Sequence, residues 1–184
     1  MQILTELRFT LSCAFLRGRG EKLAQLTKSV SSLVQNSDIT GLQNFVDGLR
    51  VECEVFLQRE LHARFPAYNF MILNTAGYSL ELGRIRVLGF PVPPAYYQTQ
   101  AITIPKSPFL ILLNLERILQ EAVGDTPSVS FLSCLVLTIM EELFHVLHFE
   151  WKHDKVHRFA KLSAEKFLDH RLPDELVARI SDAL

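Results

Sequence analysis

Residues 126–140 contain no charged side chain, and Glu141-Glu142 end the run. Phe131, Leu132, Leu135, Val136, Leu137, Ile139 and Met140 cover nearly the whole circumference of a helix, the pattern of a helix buried in the middle of a domain. The run falls short of the roughly 18 apolar residues that a bilayer span requires. The sequence therefore predicts a continuous buried helix from Ser128 to about Trp151, and no membrane as partner. A helix apolar on every side must be surrounded, so the rest of the chain has to supply elements that cover it.

The 184 residues are enough for that task and fit one domain, 1–184, of ordinary size. With 48% hydrophobic and 21% charged residues the composition is that of a globular protein. Lys plus Arg (19) nearly cancels Asp plus Glu (20), so no global charge argues for a nucleic-acid partner. Cys13, Cys53 and Cys134 are odd in number and far apart, which gives neither a disulfide framework nor a Cys-x-x-Cys metal site. They point to a reducing, cytoplasmic setting. Glu6 and Arg8 interrupt the first apolar residues, so no signal peptide is expected.

Helical periodicity marks residues 3–15, 21–34 and a long amphipathic stretch from Leu42 to Leu61, making 1–66 a helical part. Between 67 and 105 the character changes. Tyr68 to Leu73, Ser79 to Phe90 and Gln98 to Ile104 are rich in aromatic and β-branched residues and read as three or four strands of a small sheet. From 106 to 184 the chain reads as helix again. Ser107 (N-cap) and Pro108 open one expected helix that runs to about Val123; the buried helix 128–151 follows, then helices near Lys155 to His170 and Pro173 to Leu184. The fold class expected is α+β, with helices flanking a small, mainly antiparallel sheet.

The chemistry of the chain concentrates at the end of the buried helix, in Glu141-Glu142-Leu143-Phe144-His145-Val146-Leu147-His148. At 3.6 residues per turn Glu141, His145 and His148 share one face, with Glu142 at its flank. Unpaired charges so placed would cost several kcal/mol, on the order of the burial penalty for an ion, and a divalent metal removes that cost. Carboxylate and imidazole are both ligands for zinc and related ions, and an i, i+4 pair can grip one ion from a single helix. Glu142 stands where a carboxylate could take a proton from water that the ion acidifies. The same four residues also fit a hydrogen-bonded polar network.

Glu141-Glu142-Leu143-Phe144-His145 resembles the His-Glu-x-x-His helix of the zincin metallopeptidases, with glutamate in place of the first histidine. In small, minimal zincins a short sheet whose edge strand lines the substrate cleft precedes such a helix, and Thr99 to Ile104 followed by Ser107 to Trp151 is similar. The resemblance implies metal-dependent hydrolysis of a peptide or protein, zinc as cofactor, Glu142 as catalytic base and His145 as second ligand. Glu141 in the first ligand position adds a negative charge and leaves the identity of the ion open. The third ligand lies downstream, where His148, His153, Asp154, His157 and Glu165 compete; His148 ranks first because it shares the face, and Asp154 second. The missing first histidine equally fits a catalytically inactive zincin-like protein that acts as a protein-binding or regulatory module.

Other polar features carry less. Tyr96 and Tyr97 follow Pro93-Pro94 and read as packing against the sheet, and Arg17-Gly18-Arg19-Gly20 as an exposed turn. Ser12, Ser130 and Ser133 lack the Gly-x-Ser-x-Gly context of a serine nucleophile.

Overall fold

The computed structural model describes residues 39–118 and 131–170. The helices expected at 3–15, 21–34 and 173–184 lie outside the described residues. Helix α1 (Ile39–Leu61) leads into strand β1 (Tyr68–Leu73), then come helix α2 (Thr75–Val87), a 3-10 turn (Pro94–Gln98), strands β2 (Ala101–Ile104) and β3 (Phe109–Asn114), and helices α3 (Phe131–Leu147) and α4 (His153–His170). Residues 115–118 are helical. The fold is α+β.

The sheet has the order β1-β3-β2 and is mixed: β3 pairs parallel with β1 and antiparallel with β2. The expectation of a mainly antiparallel sheet is corrected here. Parallel neighbours cannot be joined by a tight turn, and α2 lies in the connection that brings the chain back.

Two further expectations change for one reason. Of the segment 79–90, residues 79–87 belong to α2 and the remainder turns out of it, so it is not a strand; Tyr78, Leu82 and Ile85, one helical turn apart, are the buried residues of α2. Asn74 starts the helix, its Oδ1 accepting from the Gly77 N–H at 2.8 Å. At the far end Gly89 turns the chain with φ 92°, a conformation that glycine adopts without strain. Conversely, the expected helix from Ser107 begins as β3. Leu110, Ile111, Leu112 and Leu113 are all buried because a central strand has helices on both faces. In each case packing, not residue preference, decides the backbone.

Alternation along the strands sorts the core into two sets. Ile111 and Leu113 face α1, α3 and α4, whereas Leu110, Leu112, Ile102 and Ile104 pack against Tyr78, Leu82 and Ile85 of α2. Helix α3 sits in the larger set, with Leu135, Val136, Ile139, Met140, Leu143 and Phe144 at most 1% exposed. This agrees with the buried helix read from the sequence. It stops at Leu147, however, and not near Trp151. A turn closed by the Trp151 N–H to His148 carbonyl bond, 2.9 Å, joins it to α4.

Candidate metal centre

Two sides of α3 carry its polar groups, and each meets a different neighbour. Thr138 and Glu142, one turn apart, face β2: Thr138 Oγ1 donates to Gln100 Oε1 at 2.6 Å, and Thr103 Oγ1 donates to Glu142 Oε2 at 2.6 Å. Thr103 points toward α3 because it alternates with Ile102 and Ile104, which face α2. Glu141 and His145 look instead toward α4, which returns antiparallel after the short turn.

The turn therefore determines which downstream groups reach them. In an antiparallel helix pair, residues equally distant from a turn centred at 149 lie opposite one another, which sets His153 beside His145 and His157 beside Glu141. The rings of His145 and His153 stack with centroids 5.8 Å apart and planes 9° from parallel. Glu141 Oε1 is 3.4 Å from His153 Nδ1, and Oε2 is 3.1 Å from His157 Nδ1. Glu141, His145 and His153 each offer a donor atom, all within 4.8 Å of one another.

The donor set fits a divalent transition ion. Two donors of one tetrahedral zinc ion lie about 3.3 Å apart at ordinary bond lengths, close to the Glu141–His153 separation. Burial lowers the pKa of His145; the Glu141 carboxylate acts the other way and His153 adds to the lowering. The imidazole is thereby biased to its neutral form, the one that coordinates a metal. Glu141 is largely shielded, its side chain 16% exposed, while the His153 side chain is 69% exposed, so the group opens to solvent on the α4 side.

Glu142 occupies different surroundings. It is buried at 6% exposure, and desolvation pushes its carboxyl up to about 8; the Thr103 hydrogen bond opposes that rise and the nearby Glu141 charge adds to it. A carboxyl poised there exchanges its proton near neutral pH. It also lies three residues from His145, within one turn on the same helix.

The sequence reading brought His148 to this face as first choice for the third ligand, and the structure brings His153 there instead. His148 caps α3, its N–H still bonded to the Phe144 carbonyl at 2.8 Å, but its ring lies flat on Trp151, centroids 3.8 Å apart, and its Nδ1 is 3.7 Å from Glu150. Asp154, the second choice, is exposed in the first turn of α4, where an acidic side chain favours the helix start. Glu165 lies twelve residues beyond His153 on α4, about 18 Å along the axis at 1.5 Å per residue, and so is remote from Glu141. A sequence signal for His153 and His157 did exist: they form an i, i+4 pair immediately after residues 149–152, mirroring Glu141 and His145.

A separate cavity of about 490 Å³ opens between α1 and β1, lined by Asp47, Arg50, Glu54, Tyr68 and Phe70 among others. Its polar groups serve one another, with Arg50 Nη1 donating to the Tyr68 hydroxyl at 2.6 Å and that hydroxyl donating to Glu54. Among the described residues no helix is long and apolar enough to cross a membrane. Comparison of the chain with protein-family models, with curated proteins and with solved structures finds no match.

Proposed function

We propose that the chain is a zincin-like, metal-dependent hydrolase of peptides or other amides, with Glu141, His145 and His153 holding the ion and Glu142 handling the proton. The observation that carries this reading is the third donor: two donors one turn apart on a buried helix are joined by one from the helix that follows, an arrangement that resembles the downstream third ligand of zincins. A zinc ion held there would polarise a substrate carbonyl and acidify water.

The chain's own residues supply the remainder. Glu142, with its carboxyl near 8, is matched to taking and returning a proton at neutral pH. Its present hydrogen bond to Thr103 ties it to β2, an edge strand, so the base would turn about its side-chain bonds to meet a substrate. An extended peptide laid along the outer edge of β2 would find backbone groups to pair with. The proposed setting is the cytoplasm, supported by Cys53 and Cys134, which are thiols and not disulfide-linked.

A second reading is supported by the same Thr103–Glu142 bond: a catalytically silent metal protein that binds a protein partner, in which Glu142 is a buried structural group. The deciding experiment is hydrolysis of a quenched-fluorescence peptide library by protein loaded with zinc. Turnover abolished by chelation, restored by zinc, and reduced about 100-fold or more in Glu142→Gln is the result expected. Bound zinc without turnover on any peptide would replace the hydrolase with the silent protein.

A further inference from the structure

We propose that His157 is a positioning residue for the metal centre: it holds one oxygen of Glu141 so that the other is presented to a divalent transition ion alongside His145 and His153. This rests on the reading of those three residues as a metal site.

The two oxygens of Glu141 have different neighbours. Oε2 is hydrogen-bonded to His157 Nδ1 at 3.1 Å, whereas Oε1 lies 3.4 Å from His153 Nδ1. An ionised carboxylate only accepts, so the proton in the Oε2 contact belongs to His157 Nδ1. A ring nitrogen that carries this proton cannot also coordinate an ion, so His157 could reach one only through Nε2. The donor atoms that lie mutually within 4.8 Å come from Glu141, His145 and His153. His153 and His157 thus stand on one face of α4, one turn apart, and straddle a single carboxylate on α3.

The arrangement has a physical use. A glutamate side chain left free loses considerable rotamer entropy when an ion captures it. With Oε2 already bonded, Glu141 enters the site through Oε1 alone and with its rotamer set beforehand. Partners of this kind around a ligand change metal affinity by roughly 10–100-fold when removed. Because the contact joins α3 to α4, it also orients the helix that carries His153.

The test uses the full chain, stripped of metal and titrated with cobalt(II) or zinc alone. His157→Ala, at a half-exposed helical position, is expected to weaken zinc binding by roughly 10–100-fold while the visible spectrum of the cobalt-saturated protein keeps its band positions and intensity. His157→Gln, whose amide N–H can donate to Oε2, is expected to restore most of the affinity. His145→Ala is expected to lose both the affinity and the spectrum. Unchanged affinity in His157→Ala would overturn the positioning role alone, and so would an altered cobalt spectrum, since that would make His157 a ligand. Wild-type protein that takes up neither ion would remove the metal centre itself, and this role with it.

Discussion

Thr103 Oγ1 donates to Glu142 Oε2 at 2.6 Å, which ties a glutamate just past the uncharged run of helix α3 to the edge strand of the sheet. The same hydroxyl lies 3.2 Å from the Glu142 carbonyl. Thr103→Val keeps the β-branched shape and removes the only atom that can donate. Loss of a donor to a buried carboxyl is expected to cost about 1–3 kcal/mol, read as a lower urea midpoint. A midpoint equal to wild type would show that the bond contributes nothing net.

The raised pKa of Glu142 has a sign in stability. Its carboxyl titrates near 4.5 when unfolded and near 8 when folded, so between those values the native state binds more protons than the unfolded chain. Stability contributed by this group is therefore fully present below about pH 4.5, declines as pH rises, and is gone above about pH 8. Metal-free protein followed by urea unfolding across that window should lose stability with rising pH, and Glu142→Gln should flatten the decline. A Gln variant with the wild-type slope would assign it to another group.

Metal binding should couple to folding, because an ion held by α3 and α4 together binds only when the two helices are paired. At a free zinc concentration 100 times the dissociation constant the expected gain is about 2.7 kcal/mol, seen as a rise in melting temperature that a chelator reverses. His145→Ala and His153→Ala should abolish the rise. His148→Ala should retain it, since that ring stacks on Trp151 and stands apart from Glu141, His145 and His153. Retention of the rise in His153→Ala with loss in His148→Ala would restore His148 as third ligand.

The central position of β3 predicts an unusual pair of costs. Ile111 faces the α3 side and Leu112 the α2 side, and both are 0% exposed. Ile111→Ala and Leu112→Ala should each destabilise by about 2–5 kcal/mol, measured by denaturant unfolding. An amphipathic surface helix over the same residues would not bury both neighbours, so a negligible effect of either variant would undo the strand assignment.

Helix α3 itself can be probed at Ile139, buried in its middle. Ile139→Pro removes a backbone hydrogen bond and clashes with the preceding turn, at a cost of about 3 kcal/mol or more. Circular dichroism should show an unfolded or strongly destabilised chain.

Periodicity alone determined the elements whose pattern admits one reading. The stripe from Leu42 to Leu61 is helix α1, the apolar cylinder before Glu141 is helix α3, and Tyr68 to Leu73 is a strand. It also put Glu141 and His145 on one face, because a helix imposes that spacing wherever it is placed. What tertiary structure decided were the patterns with two solutions. Residues 109–114 form a run as apolar as a buried helix, and only pairing with β1 on one side and β2 on the other made them a strand. Residues 79–87, within a segment rich in strand-forming side chains, became part of a helix because Tyr78, Leu82 and Ile85 pack against one face of the sheet. The third donor was decided the same way. His148 is nearest in sequence, but its ring lies on Trp151, and the antiparallel return of α4 carries His153 and His157 back to Glu141. A chain's local spacing cannot express where a helix stops or which way the next one runs, because both are set by what the two helices bury between them.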